Sequence, residues 1–131
     1  MILLDTHTLL WWTGGDKHLS AKARSIIERE RQSGELAVSA ISVWEICMLF
    51  KRGRLNLVRD IESWLDDLEA VPFLQIIPVN HRVVQTAVFL PEPFHKDPAD
   101  RIIVASALRL GVSLVTGDAK IRAYKHVRTI W

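Results

Sequence analysis

Met1-Ile2-Leu3-Leu4-Asp5-Thr6 opens the chain with four large apolar residues cut off by two turn-type polar ones. A short apolar run ended this way reads as a fully buried strand, although run length alone leaves a helix open. As a strand it puts Asp5 at its carboxyl end, the edge of an open α/β sheet where ligands bind. Asp5 has a second reading, as a helix cap for the turn over Thr6–Thr13. Further strand-like runs at Leu36–Val38, Phe73–Ile77, Val112–Val115 and Val127–Ile130 alternate with helical patterns. Ser20 is placed to cap a helix over Ala21–Gln32, Asp60 one carrying Ile61, Trp64, Leu65 and Leu68, and Asn80 one over His81–Phe89. Ser42-Val43-Trp44-Glu45 has the form of a capping box. Asp97-Pro98 opens a strongly patterned helix with Ile103, Val104, Ala107 and Leu108 on one face. The alternation predicts a single α/β domain over residues 1–131, with a mostly parallel five-stranded sheet and helices on both faces.

The bulk numbers bound the function. At 131 residues, about half of them apolar and a quarter charged, the chain is one globular domain with one core. Cys47 is the only cysteine, so no intrachain disulfide forms, which suits a reducing cytoplasm. Asp5 interrupts the first apolar run, and no signal peptide is expected. Leu36–Phe50 contains Glu45 and two serines and is too short and polar to span a bilayer. Net charge is only +2, which excludes a nucleic-acid binder defined by composition alone. If Asp5, Glu45, Asp100 and Asp118 converge and are neutralised, 17 basic residues face 11 acidic ones, a balance of +6 that suits a polyanion.

Those four acids hold equivalent places. Asp5 ends the first strand, Glu45 falls in the first turn of the helix after the second, Asp100 in the first turn of the helix before the fourth, and Asp118 just after the fourth. In a parallel sheet they share the carboxyl rim. Asp100 also lies on the same side as Ile103, Val104 and Ala107, where a surface acid would not be expected. Capping is the competing reading for Glu45 and Asp100. Gathered carboxylates repel one another, and a divalent cation removes the conflict. Helix dipoles are expected to help keep Glu45 and Asp100 ionised. An all-oxygen set favours Mg²⁺ or Mn²⁺ over zinc, and the matching chemistry is metal-assisted phosphodiester hydrolysis.

The ordered set Asp5-Thr6, Ser42-x-x-Glu45, His95-Lys96-Asp97-Pro98-Ala99-Asp100-Arg101 and Thr116-Gly117-Asp118 resembles a PIN domain over essentially the whole chain. More narrowly it is similar to the VapC-type toxins of bacterial toxin–antitoxin pairs. The resemblance implies a Mg²⁺- or Mn²⁺-dependent ribonuclease, cytoplasmic, acting on RNA, usually a homodimer and silenced by a cognate antitoxin. It implies Asp5, Glu45, Asp100 and Asp118 as metal ligands.

Other residues carry weaker readings. Thr6, Ser42 and Thr116 either donate hydrogen bonds to the carboxylates or satisfy turns. Arg101 either holds a phosphate or forms a structural ion pair. His7 and His95 lie near the rim, and Asp97 is read as the helix cap. Lys51, Arg52 and Arg54 either track an RNA backbone or end a helix in solvent. Trp11, Trp12, Trp44, Trp64 and Trp131 are core or interface material. Competing functions are a DNA-directed nuclease with the same site, a non-catalytic RNA-binding PIN-like module, and a phosphoacceptor receiver domain. The receiver needs an Asp at the end of its third strand, and Gln75–Asn80 offers none. No glycine-rich phosphate fingerprint supports nucleotide binding.

Overall fold

The structure, a computed structural model, describes residues 1–131. Five strands, β1 (Ile2–Leu4), β2 (Leu36–Ser39), β3 (Leu74–Ile77), β4 (Ser113–Val115) and β5 (Thr129–Ile130), form one sheet in the order β3-β2-β1-β4-β5. Every pairing is parallel, so the expectation of a mostly parallel sheet is met in full. The opening run is the central strand: Leu4 lies opposite Val38 on one side and Val115 on the other. A strand with neighbours on both edges and helices on both faces has no solvent side, which is why it is apolar at each position.

Seven helices cover the sheet: α1 (Thr6–Thr13), α2 (Ala21–Ser33), α3 (Ala40–Lys51), α4 (Ile61–Glu69), α5 (His81–Val88), α6 (Pro98–Leu110) and α7 (Ala119–Arg122). Alternate residues of each strand serve opposite faces. Ile2, Leu4, Leu36 and Val38 pack with Leu9, Ile27 and Ile46 from α1, α2 and α3. Leu3, Ala37 and Leu114 pack with Ile103, Val104 and Ala107 of α6 and with Ile121 of α7. No helix is long and apolar enough to cross a membrane.

The caps at Ser20, Asp60, Asn80 and Asp97 stand where expected, each side chain accepting the backbone N–H three residues on. Two expectations need correction. The helix after β2 starts at Ala40, with Ser39 as its N-cap accepting from Ile41 N–H, so strand runs into helix without a loop. Ser42 is therefore no cap, and Glu45 lies in the second turn rather than the first. Leu108 is 36% exposed and leaves the buried stripe of α6, which consists of Ala99, Ile103, Val104, Ala105, Ser106 and Ala107.

Chain order reverses across the sheet at β1, which lies between β2 and β4. The crevice outside the strand ends at such a switch point is a natural ligand site. Asp5 sits there, its N–H donating to Val115 O at 3.1 Å.

Candidate active site

A cavity of about 360 Å³ opens at this edge, lined by Asp5, Thr6, His7, Trp11, Glu45, Asp97, Asp100, Gly117 and Asp118. All four acids singled out from the sequence line it, and Asp97 joins them. Asp5 is 7% exposed and also caps α1, its Oδ1 accepting Thr8 N–H at 2.8 Å, so its two sequence readings hold together. Asp118 caps α7, its Oδ1 accepting from Lys120 N at 2.8 Å and Ile121 N at 3.1 Å. Asp97 Oδ1 accepts Asp100 N–H at 3.1 Å.

Glu45 and Asp100 are not held by backbone. From the second turn of α3, Glu45 reaches the cavity and its Oε1 lies 2.6 Å from Thr6 Oγ1. Ser42 Oγ is 2.9 Å from the same hydroxyl. A hydroxyl has one proton, so Thr6 donates to the carboxylate and accepts from Ser42. The chain Ser42–Thr6–Glu45 thus links α3 to the start of α1. Asp100 Oδ2 lies 3.3 Å from His95 Nε2, outside hydrogen-bonding geometry, and that buried nitrogen has no other partner.

The charges oppose one another. Burial first, and then the carboxylates of Asp97, Asp118, Glu45 and Asp5, push Asp100 up to about 7 from the usual 3.8. Glu45 is also raised, by burial first; the Thr6 hydrogen bond and His7 work against this, while Asp97 and Asp5 add to it. Helix dipoles were expected to keep both ionised, and desolvation with like charge outweighs them. Glu45 in the second turn is in any case beyond the reach of the dipole's strong end.

As the side chains stand, no three carboxylate or imidazole groups take up the arrangement that holds an ion. Asp5, Asp97 and Asp118 each lend an oxygen to a helix start, and Glu45 lends one to Thr6. Every such carboxylate keeps a second oxygen. The donor set is otherwise suited to a hard divalent cation: clustered oxygens, partly desolvated, whose joint ionisation the fold resists until positive charge arrives.

The weaker candidates separate. Thr6 serves a carboxylate and Ser42 serves Thr6. Thr116 Oγ1 accepts the N–H of Asp118 at 3.1 Å, a turn role. Arg101 is turned away from the cavity. Its Nε donates to Ala87 O at 2.9 Å, its Nη1 to Phe94 O at 3.4 Å and His95 O at 3.2 Å, and its Nη2 to Val88 O at 3.2 Å and Glu92 Oε1 at 3.3 Å. The phosphate reading of Arg101 gives way to the structural one. Lys51, the last residue of α3, and Arg52 and Arg54 just beyond it are exposed, and none lines the acid cavity.

Three residues of the wall were not assigned to it from the sequence. Asp97, read as the helix cap with a further role left open, is on the same turn as Asp100, three residues on. Trp11 and Gly117 form the far wall. A Cβ on Gly117 would lie 2.8 Å from the Trp131 ring, so only glycine lets that ring close over it. Trp131 in turn meets Trp11 at 5.8 Å between centroids, and Trp11 stacks on His18. Nothing in the residue types signals this long-range contact.

The PIN domain family description matches residues 2–127. Ribonuclease VapC22 of Mycobacterium tuberculosis is 39% identical over 132 residues, covering 99% of this chain and 98% of its own length. Among solved structures, VapBC2 from Rickettsia felis bound to a promoter DNA fragment superposes with a TM-score of 0.70 at 18% identity, over 99% of this chain and 98% of that one. A toxin–antitoxin complex from Klebsiella pneumoniae gives 0.69 at 19% identity, over 100% and 97%. At these identities the structural likeness speaks for the fold.

Proposed function

Since the chain belongs to the PIN-domain family, in its VapC-type branch, we propose that it is a divalent-metal-dependent endoribonuclease and the toxin of a toxin–antitoxin pair. The observation that carries this reading is the meeting of Asp5, Glu45, Asp97, Asp100 and Asp118 in one cavity, with Asp100 raised to about 7 by burial and by the other four. A purely structural cluster would relax by separating its charges.

In this reading Asp5, Glu45, Asp100 and Asp118 would hold Mg²⁺ or Mn²⁺. Such an ion, when bound, activates water as a nucleophile and offsets charge on the phosphodiester. The chain's own contributions follow from the geometry. Thr6 fixes the Glu45 carboxylate through its hydroxyl, and Ser42 fixes Thr6. Asp97 anchors the first turn of α6 and so sets Asp100 on the cavity wall. Without a cation the fold holds a proton at the Asp100 carboxyl up to about neutral pH.

Purified protein incubated with total RNA should cleave it in Mg²⁺ or Mn²⁺ and lose that activity in EDTA. Cleavage undiminished in EDTA would overturn the metal assignment. Cleavage of DNA but not RNA would replace the substrate.

We propose that the antitoxin docks in a cleft of about 630 Å³ between α1, the end of α3 and α4, lined by Leu10, Trp11, Leu49, Leu55 and Trp64 among others. It shares His7 and Trp11 with the acid cavity, so a partner seated there stands at the site's edge. A second copy is assigned to the face of α5 and α6, where Val84, Val88, Phe89 and Leu108 are exposed by 44%, 62%, 78% and 36%. An apolar patch of this kind marks an association surface. Light scattering at micromolar concentration should return twice the 14.9 kDa of the chain, and Phe89→Glu should return the monomer. A wild-type monomer would exclude the dimer.

A further inference from the structure

Besides the cleft past Trp11, the acid cavity continues toward α7. Asp97, Asp100 and Asp118 also line a neighbouring cleft of about 530 Å³ that adds His95, Lys96 and Lys120. His95 and Lys120 then line a third, of about 470 Å³, walled by Phe94, Tyr124, Lys125 and His126. Shared residues make the three a single groove running from the carboxylates over α7.

Two properties distinguish this exit. The first is charge. Residues 118–128 carry Lys120, Arg122, Lys125 and Arg128 against one acid, Asp118, and Lys96 faces them. Lys96, Lys120 and Lys125 are exposed and none forms an ion pair. On the opposite side, past Trp11, the cleft is lined by Asp16 and Asp67 as well as Arg54 and Arg59, so it carries no surplus of positive charge. Arg59 there is paired with Asp67 at 2.6 Å. The second property is a run of rings. Phe94 and Tyr124 lie 4.3 Å apart between centroids and Tyr124 and His126 5.1 Å apart. Tyr124 is fixed by its hydroxyl, which donates to Pro91 O at 2.7 Å, while His126 stands exposed. Cations interleaved with aromatic faces suit a single strand, whose bases can stack where those of a duplex cannot.

We propose that a single RNA strand leaves the acid cavity toward α7, its phosphates against Lys96, Lys120 and Lys125 and a base against the exposed ring of His126, which the buried Tyr124 backs. The proposal rests on the ribonuclease reading and adds the substrate's path to it. No role in cutting belongs to these residues.

The test is fluorescence anisotropy of a labelled single-stranded RNA of about a dozen nucleotides with the whole protein in EDTA, so that binding is read without metal-dependent turnover. Each phosphate contact on a single strand contributes about 0.7 to the slope of log K against log salt. Lys96→Ala/Lys120→Ala/Lys125→Ala should therefore lower that slope by about 2 and weaken binding roughly tenfold or more at moderate salt. His126→Ala should weaken binding roughly tenfold with the slope unchanged, as loss of stacking does. Lys51→Ala/Arg52→Ala/Arg54→Ala removes the same charge from the other side and should bind as wild type. Equal losses in the two triple variants would reduce the effect to overall charge and overturn the path. Loss only in the Lys51 set would reverse it. Wild-type protein that prefers duplex DNA would overturn it in favour of another nucleic acid. Wild-type protein that binds no RNA in EDTA would overturn the path, whereas the ribonuclease reading falls only if RNA also goes uncut in Mg²⁺ or Mn²⁺.

Discussion

Asp100→Asn should lower RNA cleavage by roughly a hundredfold or more, because charge stabilisation at a reacting phosphate is lost with the carboxylate. The same change should leave the metal-free protein as stable as wild type or more so. Asp100 is a carboxyl whose folded pKa, about 7, lies above its ordinary 3.8. Between those values the native state binds more protons than the unfolded chain, so stability falls as pH rises and the loss is complete above about 7. Each pKa unit corresponds to about 1.4 kcal/mol. Solvent screening at a site this open reduces the total to the order of 1–2 kcal/mol. Glu45 is raised as well and adds with the same sign. Metal-free wild type should thus melt higher near pH 5 than near pH 8. Mn²⁺ should recover the difference by stabilising the ionised form. The Asn variant should show a flatter profile, having no proton to lose. Asp97→Ala supplies the contrast: it removes an N-cap, costs about 1 kcal/mol and should leave cleavage measurable. A stable, inactive Asp97→Ala beside an active, destabilised Asp100→Asn would exchange the two roles.

The second large effect is on the fold. Arg101→Ala should destabilise the protein by about 3 kcal/mol or more, since hydrogen bonds to a charged donor are each worth about 1.5–3 kcal/mol and their carbonyl partners would be left bare. The side chain is 12% exposed and ties the end of α5 to the loop that carries Phe94 and His95. It also lies 5.9 Å from the Phe94 ring, a cation–π contact. Arg101→Lys should recover little, because one ammonium cannot address the carbonyls of residues 87, 88, 94 and 95 from a single point. Urea denaturation near pH 7 reads the effect. An unchanged midpoint combined with weakened RNA binding would restore the phosphate role that the geometry sets aside.

The first strand and the rim acids were legible because a central parallel strand admits only apolar residues and ends abruptly at the ligand edge. The start of α3 was not. Ser39 and Ser42 are both good caps, and Glu45, three residues past Ser42, completes a false capping box. The choice is made by β2, whose pairing with β3 extends through Ser39 opposite Ile77 and delivers the chain straight into the helix. Glu45 was thus correctly placed on the rim with the wrong local explanation. Arg101 was ambiguous for another reason. Its partners are mostly backbone carbonyls, which leave no mark on residue identity. The wall formed by Gly117 and Trp131 depends on a tertiary contact and was equally silent.

The central position of β1 also bears on when the cavity can exist. Its pairing with β4 joins residues 111 positions apart, as Leu4 with Val115, and the bond from Thr8 Oγ1 to Val115 O joins residues 107 apart. Such long-range parallel contacts form late, because the intervening loop must be closed before they contribute. On the ribosome, β1 emerges first and remains without its second neighbour until residues 113–115 follow. Asp5 therefore waits for Asp100 and Asp118 through most of synthesis, and a nascent chain carries the acids without the cavity. The order of the strands alone thus defers assembly of the cavity until residues 113–118 have been made.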